Sequence, residues 1–304
     1  MLGIGEIFSI SCAICWAVAI VLFKHCGESL TANTLNLLKN CIGLLLLIPT
    51  ALFLEGVILP NLTLVQWSIV LASGYFGIAI ADSWYFEALR RLGAGRTAIV
   101  ASLYSPFVVI FSIIILQESL ETWQWLGFVL VLLGILLVVY QRHYKEIDKR
   151  QLLSGVAYAA SSVLLTALGV VLVKPILENP ADSLSDNFFW IVTFRLLAGV
   201  VGTLFFLLLK NKFKLVIEEF KTGKHNWSGL IIASVFASYL AMILWLAGFK
   251  YTSASVASVL NETANIFIVL LAWLFLKEEL SKRKITGISL AFAGVLVFIG
   301  VFNP

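Results

Sequence analysis

Long apolar runs, each closed by a short polar interruption, fill nearly the whole chain. A bilayer crossing takes roughly 20 apolar residues. Read at that length, the pattern predicts ten helices, over residues 4–23, 34–54, 67–89, 97–116, 122–140, 152–176, 187–209, 227–249, 254–276 and 284–302. Most connections are short, so neighbouring helices are expected to run antiparallel. The longest connection spans 210–226, where Lys212, Lys214, Glu218, Glu219 and Lys221 mark a solvated surface segment. The first run has no basic residues ahead of it and no small-residue cleavage site behind it, which predicts a retained span.

Composition removes the soluble alternatives. The 304 residues are 61% hydrophobic and 12% charged, against about 25% charged in a typical soluble domain. The expected fold is all-α and integral to a membrane. A formal charge of +4 is too small and too dispersed to suggest nucleic acid. Cys12-x-x-Cys15 has metal or redox spacing, but no second pair and no nearby histidine completes a site, so packing is the better reading. No metal or cofactor is expected. The chain lacks a Walker loop, HExxH and GxSxG, and His25, His143 and His225 fall in or beside loops. Neither enzymatic chemistry nor direct ATP drive is expected.

The chain repeats itself. Gly5 to Lys24 matches Gly155 to Lys174, and Lys39-x3-Gly43 matches Arg195-x3-Gly199. From there one offset holds: Trp67-Ser68 with Trp227-Ser228, Glu118-x-Leu120 with Glu278-x-Leu280, Gly127 with Gly287, and Gly134 with Gly294. The predicted units are residues 1–148 and 149–304. Each holds an odd number of spans, so the second is expected to enter the membrane inverted, which relates the halves by a pseudo-two-fold axis in the membrane plane. Two such halves could open a shared central site to one side and then the other. A channel or an intramembrane enzyme could also contain repeats, and the alternative functions are a membrane channel and a non-transporting membrane scaffold or sensor.

These residues resemble the EamA-type family of the drug/metabolite transporter superfamily along the whole chain. The resemblance rests on the doubled five-helix unit and on a basic residue in each second helix, Lys39 and Arg195. It rests further on Leu116-Gln117-Glu118-Ser119-Leu120 and Leu276-Lys277-Glu278-Glu279-Leu280, and on the glycines of each fifth helix. It implies a secondary transporter, often an exporter of amino acids or other small metabolites. It also implies that helices one to four and six to nine line the cavity, with five and ten at the periphery. The family tends to kink its fourth helix with proline. Pro106 fits, while Ile266 stands at the corresponding place, so the second kink is expected to be missing. Apart from a small-molecule substrate and the bilayer, the expected partners are at most protons; the oligomeric state stays open.

All but four of the 21 lysines and arginines fall in the loops joining helices 1–2, 3–4, 5–6, 7–8 and 9–10. Lysine and arginine collect on the cytoplasmic side, which predicts both termini outside. Relatives are commonly described with both termini inside, so charge bias and resemblance point opposite ways. A bacterial inner membrane is the expected location.

Charges within spans are costly and usually functional. In the ninth span Ser255, Ser258, Asn261, Glu262 and Asn265 fall on one face at helical spacing. That stripe could line an aqueous cavity, where Glu262 would bind a substrate amine or carry a coupling proton; the alternative is a structural pair with Arg195. Asp82 and Tyr85 in the third span offer a charge and an aromatic surface, or a structural pair with Lys39. Lys39 and Arg195 suit a carboxylate or a gate, with snorkelling toward the interface as the plainer reading of Lys39. Glu87, beside Arg90 and Arg91, reads as interfacial. Ser9, Cys12, Trp16, Tyr158, Ser161 and Ser162 read mainly as packing. Tyr104 and Ser105 gain interest from Pro106, which frees a backbone carbonyl.

Overall fold

The computed structural model describes residues 3–26, 30–57, 59–140, 148–178, 187–222, 225–277 and 281–300. Among them every regular element is helical. In the first unit α1 is Ile4–Cys26, α2 Ala32–Glu55 and α3 Leu64–Gly74. A π-helical turn, Tyr75–Ile80, joins α3 to α4, Ala81–Leu92. Then follow α5 (Ala94–Ala101), α6 (Tyr104–Ile115) and α7 (Thr122–Val139). In the second unit α8 is Lys149–Leu177, α9 Phe188–Leu209, α10 Phe213–Thr222 and α11 Trp227–Ser234. A second π turn, Val235–Leu240, leads to α12 (Ala241–Tyr251), α13 (Ala254–Asn261), α14 (Ala264–Leu276) and α15 (Lys282–Phe298).

Nine spans among the described residues are long and apolar enough to cross a membrane; α15, the tenth expected span, has 17 residues. Local chemistry sets the ends. Thr63 and Gln66 form a reciprocal capping box that starts the third span at Leu64, before the expected 67. Gly93, at φ 78°, ends that span after Leu92. The segment 210–226 holds α10, which turns Val216 into a cluster with Leu37, Val200 and Leu207.

The fourth and ninth spans, expected to be continuous, are each broken after two turns. The breaks lie at Ser102–Leu103 and Glu262–Thr263, the same point of the two repeats. In the first unit Pro106 has no N–H to continue the ladder. The second break forms without proline, contrary to expectation. There Thr263 Oγ1 donates back to Leu260 O at 2.6 Å, and the N–H groups of Thr263, Asn265 and Ile266 bond three residues back. A tight turn satisfied by its own hydroxyl does what proline does opposite.

Packing follows the repeat. α1 lies on α12 as α8 lies on α4, α1 on α14 as α8 on α6, while α2 meets α9 and α7 meets α15. The α7–α15 contact is close because glycines make it. A Cβ at Gly134 would sit 2.5 Å from Ala291 N, and one at Gly127 2.5 Å from Phe298 N. The start of each second helix is capped by an acid of the other unit. Glu55, ending α2, accepts from Phe189 N at 2.8 Å and Trp190 N at 3.0 Å; Glu219, in α10, accepts from Thr31 N at 3.1 Å.

Candidate functional site

The two breaks meet in the middle of the bundle. Glu262, 6% exposed, lies at the second. Its Oε2 accepts from Asn265 Nδ2 at 3.0 Å, and its carboxylate also accepts from the backbone N–H of Ser105, just past the first break. Tyr104, beside Ser105, accepts a hydrogen bond from Trp245 Nε1 at 3.2 Å. The Trp245 ring in turn covers the Arg195 guanidinium, Cζ 4.7 Å from the ring centroid. Arg195 Nε donates to Ser73 Oγ at 3.1 Å.

A second polar group lies toward the start of α2. Lys39 Nζ is 3.5 Å from Asp82 Oδ2 and 3.2 Å from Asn40 Oδ1. Asn40 also bonds Asn36 at 3.1 Å and Ser238, in the second π turn, at 3.0 Å. Tyr85 links the two groups, within electrostatic reach of both Asp82 and Glu262. Tyr104 has the same relation to Glu262 and Arg195. A line of polar side chains, Lys39, Asp82, Tyr85, Glu262, Tyr104, Trp245 and Arg195, thus lies within a largely apolar bundle.

Seven of the eight residues singled out from the sequence belong to this line or bond directly to it: Glu262, Asn265, Asp82, Tyr85, Lys39, Arg195 and Tyr104. Asn261 is set apart, its Nδ2 and Oδ1 buried without a partner among the described residues. Glu262 does not pair with Arg195, and Lys39 bonds Asp82 rather than snorkelling. Glu87 binds Arg90 and Arg91 at 2.6 and 2.7 Å, outside the line. The hydroxyls of the sixth span serve packing: Ser162 donates to Ala81 O at 2.7 Å, and Cys12 donates to Ala241 O at 3.4 Å at the repeat-related place. Sequence reasoning missed Trp245, Ser73, Asn36, Asn40 and Ser238. The repeat held a signal for the first of these, because Trp245 is the counterpart of Tyr85.

The two ends of the bundle differ. At the end holding the start of α1, α6 closes on α13. Glu118 accepts from Ala254 N at 2.6 Å, Ser255 N at 3.1 Å and Ser255 Oγ at 2.8 Å. Lys174 there donates to Phe249 O and Thr252 O, both at 2.7 Å, and to Glu178, tying α8 to α12. The repeat-related contacts at the other end, α14 with α5 and α1 with α4, are slight among the described residues. A crevice of 610 Å³ opens at that end, between Thr31, Trp84, Glu87, Arg90, Tyr158 and Lys210.

Comparison with known proteins bears on this arrangement. The model of the EamA-like transporter family matches residues 3–140 and again 153–300. The chain belongs to the EamA-like transporter family. This EamA-like protein is similar to an uncharacterized transporter of Archaeoglobus fulgidus, 24% identical over 300 residues that cover 96% of this chain and 97% of that one. It is also similar to the protein PecM of Dickeya dadantii, 24% identical over 74% of this chain and 71% of that protein. A solved crystal structure superposes with a TM-score of 0.80 over 99% of this chain and 100% of its own, at 16% identity, which speaks for the fold. The family and the apolar helices together make the EamA-like chain an integral membrane protein of a transporter family.

Proposed function

We propose that the protein is a secondary transporter that exports a small organic metabolite, of the size and polarity of an amino acid, by alternating access. In this reading α15 completes ten spans, and residues 1–148 and 149–304 are two units related by an in-plane two-fold axis. The pattern of helix contacts supports the axis, because most of its pairs recur when the units are exchanged, as α1 on α12 recurs in α8 on α4. The observation that carries the reading is the polar line at mid-bundle, with helices tied together by Glu118 and Lys174 at one end and a crevice at the other. A membrane interior tolerates such groups where they face a path for solute or ions.

Glu262 is the group on which the mechanism turns. It sits where both broken spans present free backbone ends, so a small movement of either half-helix changes its partners. Its carboxylate either receives the ammonium of a solute or takes up a coupling proton. The membrane is a bacterial inner membrane, with the basic loops cytoplasmic and both termini outside.

The test compares extracellular and intracellular metabolites of cells making the unmodified protein with cells making Glu262→Gln at equal membrane abundance. One class of solute should move only with the unmodified protein. Equal movement with both forms would leave transport standing and make Glu262 structural. No difference from empty membranes across a broad panel would remove the transporter reading.

A further inference from the structure

Arg195 is fully enclosed, at 0% exposure, yet its charge is not matched. Nε reaches Ser73, and one face of the guanidinium lies on Trp245, but Nη1 and Nη2 have no hydrogen-bond partner among the described residues. A buried cation is ordinarily paired or hydrogen-bonded through all its donors, because desolvation otherwise goes uncompensated.

The repeat shows which partner is missing. The first-unit counterpart of Arg195 is Lys39, and Lys39 has an acid, Asp82, at 3.5 Å. Asp82 plus the repeat offset is position 242, which is Met242, a buried thioether. The second unit therefore keeps the cation and lacks the anion. Glu262 does not replace it, since its carboxylate is held by Asn265 and the Ser105 N–H.

The surroundings suit an oxyanion. Tyr104 already accepts from Trp245, so its own O–H is left to donate. Gly77 sets no side chain against Nη2: a Cβ there would lie 3.6 Å from that nitrogen, in ordinary contact. The two Nη groups of a guanidinium match the two oxygens of one carboxylate, a geometry that a lysine cannot offer.

We propose that Nη1 and Nη2 of Arg195, with the Tyr104 hydroxyl, receive one carboxylate of the transported solute in the place that Asp82 fills in the first unit. The substrates are then small organic carboxylates, amino acids included, and not amines alone. This rests on the transporter reading, and the experiment separates the two.

The purified protein in lipid discs is heated with 3-phenylpropionate, L-phenylalanine or phenethylamine, and with 4-methylvalerate or isoamylamine, at constant ionic strength. The same compounds are followed by mass spectrometry as they leave loaded proteoliposomes. Carboxylates should raise the melting temperature of the unmodified protein and amines should not. Arg195→Gln should weaken that protection at least tenfold, with Arg195→Lys intermediate. Met242→Asp supplies the missing acid from within. It should raise the melting temperature of the ligand-free protein and abolish protection by carboxylates, a result that holds even if Arg195→Gln fails to fold. Protection by amines as strong as by carboxylates, protection that survives Arg195→Gln, no protection by any carboxylate, or a Met242→Asp form still protected would each overturn the receptor. Carboxylate binding without movement across liposomes would leave the receptor and remove transport. Movement of amines alone, indifferent to Arg195, would leave transport and remove the receptor.

Discussion

Lys39 and Lys174 show how differently two lysines can be held in one membrane bundle. Lys39 pairs with Asp82 while both side chains stay partly exposed, at 18% and 31%. Such a pair is worth about 1 kcal/mol or less. A double-mutant cycle with Lys39→Met and Asp82→Asn, read by reversible unfolding in mixed micelles, should give a coupling no larger than that. Lys174 is nearly enclosed, its side chain 6% exposed, and serves Phe249 O, Thr252 O and Glu178 at once. Lys174→Met leaves the buried Phe249 carbonyl without this donor, at a cost of about 1–3 kcal/mol, and removes a second bond at the half-buried Thr252 carbonyl. The same unfolding measurement should show a loss of at least about 2 kcal/mol. Residue type and depth made Glu262, Asp82, Lys39 and Arg195 legible in the sequence. Their partners were not, because a pairing across two spans depends on rotation about each helix axis. Lys39 with Asp82 and Glu262 with Ser105 are both of this kind.

Each helix carries its own punctuation, and some of it lies outside the hydropathy pattern. Run length located the spans to within a few residues, while the capping box at Thr63 and the glycine at Gly93 moved the third span's ends. The breaks at Ser102–Leu103 and Glu262–Thr263 escaped notice because hydrophobicity continues across them. The second also lacks the proline that marks the first. If the local turn and not proline makes the break, Pro106→Ala should leave the helix broken. It should cost little, within about 1 kcal/mol, and preserve metabolite export in the whole-cell assay. The peripheral pair α7 and α15 should respond oppositely to its own small change. Gly134→Leu drives a side chain into Ala291 and should destabilise by about 1–3 kcal/mol. A glycine count shows that such a seam exists, but only the structure shows that each glycine faces backbone and not lipid.

The whole molecule reads as one unit written twice, and that much was visible in a constant spacing between matching residues. What the spacing could not reveal is that the two ends differ among the described residues: Glu118 and Lys174 tie helices together at one, while at the other the contacts of α14 with α5 and of α1 with α4 are slight. Charge bias predicts that the tied end, which holds the start of α1, faces away from the cytoplasm. A single cysteine at Gly3, in a chain with Cys12, Cys15, Cys26 and Cys41 replaced by alanine, should react with a membrane-impermeant maleimide on intact cells. Reaction only after lysis would reverse the orientation. The exchanged caps of the second helices have a further consequence, in time. Thr31 waits for a carboxylate 188 positions further along the chain. At about 5–20 residues per second, that partner emerges from the ribosome roughly 10–40 seconds later. Until then the newborn first unit sits in the bilayer with a helix start exposed, and its final form is set by a neighbour not yet made. Synthesised as two separate polypeptides, the halves should survive proteolysis together and be degraded apart.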